Sequence, residues 1–369
     1  MELSNNIRKN LKTILLTMFL SVILAMSGCT TVQSDSNANN TVVNNTGVDS
    51  STILLSDDLN NSLTINYPCK SVVSTYGMVP PIIYSLDAQD TIKAGKGIQG
   101  SDEFLKILNP NFDNMAQVNT ENVEEIKKTN PDVVFAPYWN EKSGIYTQLT
   151  SLDVPVFFVD IETVPNYYKL LSNMGKMFNK SEKADYLITY YKEKVQFVKD
   201  TVEGTDKPKV LVLAHSAKKN SFWTPGGDFW GNEMVEIAGG ESVSKELETG
   251  KMPVNVEQIA NWNPDKIIVI TYSRDFTSID AKNQLMNDEG WKEINAVKNG
   301  EVYGMPNDGD SWDVLSPKFT LGLIWTAKVL HPEAMNISIK EEAIQQYIDV
   351  YNMTPEQISK VNIVGDEVD

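Results

Sequence analysis

Hydrophobic residues along this chain follow two spacings. Short apolar runs rich in β-branched residues occupy 71–76, 133–136, 154–159, 210–214 and 267–270. Runs of this kind suit strands buried on both faces of a parallel sheet. Between them, apolar positions recur at helical intervals. The longest such stretch is 165–203, where Tyr168, Leu171, Met174, Met177 and Phe178 lead into Ala184, Leu187, Tyr191, Val195 and Val198. Pro165 stands where a first-turn proline is tolerated and Gly204 where a helix stops. One or two helices are therefore expected, with a break available at Asn179-Lys180-Ser181. Strand and helix alternate on both sides of this segment, which predicts an α/β protein. Its expected parts are a first lobe over 62–160, a bridging helix over 161–206, and a second lobe over 207–369 with a further helix through 341–351. No internal repeat at a solenoid period is visible.

The chain opens differently. Arg8, Lys9 and Lys12 precede an apolar run over 14–26, which closes on Ser27 and Gly28 before Cys29. A charged start, an apolar stretch and a small-residue cleavage site predict a signal peptide over 1–28. The run is shorter than the roughly 18 to 20 apolar residues of a spanning helix. Leu24-Ala25-Met26-Ser27-Gly28-Cys29 resembles a bacterial lipobox, which implies a lipid on Cys29 and a membrane-anchored protein outside the cytoplasm. A secreted protein with an incidental cysteine is the alternative. From Thr30 the residues are mostly Ser, Thr, Asn, Asp and Gly with scattered valines. Such a stretch cannot bury enough apolar surface to offset its ordering entropy, so 29–61 is expected to be a flexible tether.

Composition narrows the function. Cys69 is the only cysteine besides Cys29, so with Cys29 as lipid acceptor no intramolecular disulfide is expected in the exported protein. Roughly 300 residues must instead build a large core. The formal net charge of −17 becomes −19 when residues 1–28, with three basic side chains and one acidic, are removed. Nucleic-acid binding by bulk electrostatics is disfavoured. An enzyme is also disfavoured. No Ser/His/Asp arrangement or paired catalytic histidines stand out, and Gly95-Lys96-Gly97-Ile98-Gln99-Gly100 imitates a phosphate loop without a clear buried strand before it. A structural or adhesive surface protein remains a rival.

Two segments share one design. Asn122-Val123-Glu124-Glu125-Ile126 runs to Asn130-Pro131-Asp132-Val133-Val134, and Asn255-Val256-Glu257-Gln258-Ile259 runs to Asn263-Pro264-Asp265-Lys266-Ile267. Each reads as a helix, an Asn-Pro-Asp turn and a buried strand. Further segments follow in a fixed order. They are Ser71-Val72-Val73-Ser74 with Ile82-Ile83-Tyr84; Thr224-Pro225-Gly226-Gly227-Asp228 with a helix to Gly239-Gly240; and Trp312 with Ser316-Pro317-Lys318 and Leu321-Gly322-Leu323. Together they resemble the substrate-binding proteins of siderophore, haem and cobalamin ABC importers over most of 70–333. The resemblance implies two Rossmann-like lobes joined by a rigid helix, with a metal chelate held in the cleft between them. It also implies a permease dimer with its ATPase as partner, reached through one surface glutamate per lobe. Glu124 and Glu257 match those positions, although acids in a first helical turn are favoured by the macrodipole in any case.

In open α/β sheets ligands meet the carboxyl ends of the strands. The candidates there are Tyr76, Met78, Tyr138, Trp139, His215, Tyr272 and Arg274, joined by Asp310 and Trp312 in the closing segment. Aromatics at these places could pack on a flat ligand, or the tryptophans could simply cover the core. Arg274, the only arginine outside the first 28 residues, suits an anionic oxygen with Lys218 and Lys219 nearby, or a salt bridge to Asp275 or Asp280. His215 could ligate a metal, donate to a ligand, or serve the fold. Only His215 and His331 exist, too few for a receptor of naked zinc or manganese. No metal site or cofactor of the protein's own is expected, and any metal would arrive already chelated.

Overall fold

A computed structural model describes residues 52–95, 102–114, 119–216, 221–273 and 275–368. The signal peptide, Cys29 and most of the expected tether lie outside these residues, as do Lys218, Lys219 and Arg274. Described structure begins with β1 (Thr52–Ser56), paired antiparallel to β2 (Ser62–Asn66). The tether expected to reach Asn61 therefore gives way to strand at Thr52. Leu55 and Ile65 bury themselves in the core, while most of the outward positions are polar enough to read as linker, Leu54 being the apolar exception.

The first lobe is built on a four-stranded parallel sheet. Its strands are β3 (Val72–Ser74), β4 (Ile92–Ala94), β5 (Val133–Pro137) and β6 (Val156–Val159), in the order β4-β3-β5-β6. Val72, Phe135 and Phe157 face one core cluster, and Val73, Val134 and Phe158 face another. Burial on both faces is why these runs lack polar alternation. β4 was not legible in the sequence, and it leads directly into Gly95. The phosphate-loop imitation thus does follow a strand, although 96–101 lie outside the described residues.

The second lobe carries a six-stranded mixed sheet. Its strands are β7 (Lys209–Ser216), β8 (Ser221–Gly226), β9 (Glu241–Ser242), β10 (Gly250–Val254), β11 (Lys266–Ile270) and β12 (Val302–Gly304). The order is β10-β8-β7-β11-β12, with β9 beside the start of β7. β7, β11 and β12 are parallel, whereas β8 and β10 fold back antiparallel. The glycine turn read at Thr224–Asp228 is largely strand, with the turn confined to Gly227, at φ +56°, and Asp228.

The repeated sequence unit is a repeated structural unit. Asn122 and Asn255 cap helices Val123–Lys128 and Val256–Trp262 through side-chain oxygens that accept backbone N–H bonds. Ile126 and Ile259 are fully buried. Asn130 and Asn263 then adopt the left-handed conformation, at φ 48° and 45°, which Asn tolerates better than most residues. Asp132 accepts from the backbone N–H groups of Lys70 and Ser71, just before β3, at 2.7 and 2.9 Å. Asp265 accepts from that of Lys209, at the start of β7, at 2.9 Å. Each Asn-Pro-Asp turn so fastens one helix end to the neighbouring strand.

Two helices, Val164–Met177 and Ser181–Thr201, connect the lobes. The break falls at Asn179, at φ 56°, where the sequence allowed one. They pack against each other as an antiparallel hairpin. A Cβ on Gly175 would stand 2.5 Å from that of Ala184, and further along the rings of Tyr167 and Tyr191 lie 5.9 Å apart. The C-terminal helix, Ile339–Tyr351, also reaches across. It packs on helix Phe319–Leu330 of the second lobe and on helix Val79–Ser85 of the first, with Asn352 bonding to Asp87 at 3.3 Å.

Candidate ligand-binding site

The carboxyl ends of the parallel strands converge on a cavity of about 560 Å³ between the lobes, a size in the range of small-molecule sites. β3 delivers Tyr76 and Met78, β5 delivers Tyr138 and Trp139, and β6 delivers Ile161 and Glu162. From the second lobe come Trp223 on β8, Lys251 on β10 and Tyr272 beyond β11, with Asp313, Val314 and Leu315 below. The walls are mainly aromatic. On the first lobe Trp139 meets Tyr76 and Tyr138 edge-on, each at 5.2 Å between centroids, and keeps 54% of its surface exposed. On the second, Trp223 and Tyr272 are nearly parallel, 6.1 Å apart. The Lys251 ammonium lies 5.1 and 5.9 Å from their centroids, within cation–π range.

Two carboxylates share this cavity. Tyr272 donates its hydroxyl to Asp313 at 2.5 Å, and Ser311 donates to the other oxygen. Burial still holds the Asp313 carboxyl above its usual range. Glu162 is pushed up to about 7, first by burial and then by Asp160, with Lys251 pulling the other way.

A second cavity of about 700 Å³ shares Ile270 and Tyr272 with the first. It is more polar, with Thr271, Ser273, Thr277 and Asn307 on the second lobe and Glu103 and Lys106 on the first. Asp308 and Asp310 border it, but their carboxylates turn inward to Lys318, a lysine with no exposed surface.

Of the cleft candidates read from sequence, Tyr76, Met78, Tyr138, Trp139 and Tyr272 line the aromatic cavity, and Asp310 and Tyr272 border the polar one. His215 and Trp312 belong to neither. His215 is buried and stacked on Phe222 at 4.6 Å, with Phe276 edge-on at 5.1 Å. Trp312 has no exposed surface, and its carbonyl lies so close to helix Phe319–Leu330 that only glycine fits at Gly322, where a Cβ would stand 2.1 Å away. It fills the core, while Asp313 to Leu315, directly after it, face the cavity. Periodicity does not say which of consecutive loop residues turns outward. The sequence reading also passed over Glu162, although it follows a strand as the others do. It passed over Trp223 and Lys251 because β8 and β10 were not recognised. Glu124 and Glu257 are both exposed in the first turns of their capped helices. Among the described residues, no group of three or more His, Cys, Asp or Glu side chains could hold a metal ion.

Residues 72–308 match the family described as periplasmic binding protein, and the chain belongs to that family. It is thus an extracytoplasmic substrate-binding protein of the ABC-importer kind, and a permease with its ATPase is its functional partner. It is 27% identical over 269 residues to the molybdate-binding protein MolA of Haemophilus influenzae, which covers 67% of this chain and 75% of the relative. It is 29% identical over 189 residues to IsdE, a high-affinity haem uptake protein of Staphylococcus aureus, covering 50% and 63%. The fold matches MolA solved with molybdate at a TM-score of 0.68 and 21% identity, over 82% of this chain and 98% of that one. It matches Helicobacter pylori CeuE, solved as a nickel–histidine complex, at 0.69 and 18%, over 84% and 98%.

Proposed function

We propose that this protein captures a metal chelate in the aromatic cavity and delivers it to its permease, docking through Glu124 and Glu257 while a lipid on Cys29 holds it at the membrane. It does so as a receptor and performs no chemistry on the ligand. The observation that carries this reading is the pair of aromatic walls, Tyr76, Tyr138 and Trp139 facing Trp223 and Tyr272. Rings presented from both sides favour a broad apolar or flat ligand such as a corrinoid, porphyrin or siderophore complex. A bare oxyanion of the molybdate type suits the described lining poorly, since Glu162 and Asp313 would repel it and Lys251 alone would attract it.

The relatives support a metal-linked ligand without agreeing on which one, as their names cover molybdate, haem and nickel–histidine. Titrating cobalamin, cobinamide, haem and ferric siderophores against tryptophan fluorescence tests the proposal. Saturable one-to-one quenching by one of them is expected. Failure of every chelate to quench, with binding of a sugar or peptide instead, would sink it in favour of an adhesive or other binding role.

A further inference from the structure

Among the described residues, the lining of the aromatic cavity carries more acid than base. We propose that its ligand is a chelate of net positive charge, whose cationic part is held between the aromatic walls with Glu162 as its counter-charge. This inference rests on the reading of that cavity as the chelate site, and it names the class of chelate.

Three features of the cavity converge. First, the faces of Trp223 and Tyr272 carry negative potential from their π-systems, as any indole or phenol face does. The protein's own Lys251 ammonium sits over both, at 5.1 and 5.9 Å, so this surface already accepts a cation. Lys251 is exposed and lies on β10 at the sheet edge, and its long stem lets an incoming cation displace it.

Second, the acids of the lining outweigh the bases among the described residues. Glu162 and Asp313 line the cavity with Asp160 beside Glu162, against Lys251 alone. Asp313 is occupied by the Tyr272 and Ser311 hydroxyls. The Glu162 carboxylate receives no hydrogen bond from the described residues, although most of the group is shielded from water. A carboxylate left so in an apolar cleft is costly until a cation or a strong donor reaches it. Its elevation to about 7 is the titration counterpart of that cost.

Third, Glu162 stands where a ligand in the cleft would meet it. It follows β6 at a strand carboxyl end, in the same cavity as Tyr76 and Tyr138, and its charge is felt at the Tyr76, Tyr138 and Tyr272 phenols. Among the described residues, the charged groups facing it are Asp160 from its own segment and Lys251 from β10. The overall charge of −17 adds long-range attraction for cations and repulsion for anionic chelates.

The test uses the mature chain, tryptophan fluorescence and ferric chelates of matched metal but different charge. These are a linear trihydroxamate with a free ammonium, a neutral cyclic trihydroxamate and a trianionic tricatecholate. The cationic chelate is expected to bind at least about tenfold more tightly than the tricatecholate, the order of one ion pair in a half-buried site. Glu162→Gln, which keeps shape and removes charge, should weaken the cationic chelate by about tenfold and leave the neutral one within about twofold. Equal or tighter binding of the tricatecholate, or a Glu162→Gln protein that treats all three as wild type does, overturns the charge assignment and leaves the chelate reading standing. Failure of all three, and of cobalamin and haem, overturns both.

Discussion

Replacing Lys318 with methionine should unfold this protein more readily than almost any other single substitution. The ammonium has no exposed surface and lies 2.6 Å from Asp308 Oδ1, 3.6 Å from Asp310 Oδ2 and 3.4 Å from the centroid of the Phe104 ring. Tyr347 also donates to Asp308, whereas the Asp310 carboxylate has no other hydrogen-bond partner among the described residues and depends on the ammonium. Methionine fills most of the stem's volume, so the loss is chiefly one of charge, with two buried carboxylates left facing each other. Breaking a buried ion pair from one side costs about 3–5 kcal/mol, which for a chain of this size lowers Tm by about 10 °C.

The pH dependence gives a second check. Even with Lys318 present, burial holds Asp310 up at about 6 against an ordinary 3.8. A carboxyl raised on folding binds more protons folded than unfolded, so stability falls as pH rises between about 4 and 6. Without the ammonium, which is what pulls the Asp310 carboxyl down, that group is pushed higher still. The deficit of Lys318→Met should therefore shrink on acidification and widen toward neutral pH. Urea denaturation followed by circular dichroism at pH 5 and 7.5 measures this. Adding Asp308→Asn and Asp310→Asn removes the stranded charges and should return more than about half of the loss. A single variant within about 1 kcal/mol of wild type at pH 7.5, or a triple variant no better than the single one, would refute this account. The same residues fix 308–315, which borders both cavities, so the single variant should also bind ligand more weakly.

Other outcomes follow from the site. Trp139→Ala and Trp223→Ala should each weaken chelate binding by about 1 kcal/mol or more through lost ring contact, read by calorimetry, whereas His215→Ala should act on stability instead of affinity. Reversing charge at both Glu124 and Glu257 should abolish uptake in cells while purified protein binds ligand normally; undiminished uptake removes them as docking groups. Cys29→Ser should appear in the culture medium with ligand affinity intact, and its retention on the membrane would end the anchor reading.

Much of the architecture was written in the sequence. The β-branched runs at 133–136, 210–214 and 267–270 and the helical spacing over 165–203 each depend on neighbours within one element. Local periodicity therefore reported them, including the break at Asn179. The Asn-Pro-Asp units were equally visible, because the cap, the left-handed Asn and the strand-fastening Asp sit at fixed short spacing. Half of the aromatic cavity was visible as well, since the carboxyl end of a parallel strand is a place that sequence alone can find. Tyr76, Tyr138, Trp139 and Tyr272 were found in this way.

Other features required the chain to close on itself. β8 and β10 run antiparallel and lack a continuous β-branched run, so Trp223 and Lys251 had no strand end to mark them. Trp312 and Asp313 are adjacent, and only packing against Gly322 sent the first into the core and left the second in the cleft. Lys318 reads as an ordinary surface lysine until Asp308 and Asp310, from the loop just before it, and Phe104, some two hundred residues away, enclose it. The sequence determined the central buried strands, the long helices and part of the ligand-binding lining. The tertiary structure decided which side chains face the cavity and which charges are buried together, because those outcomes depend on contacts between residues that local spacing cannot relate.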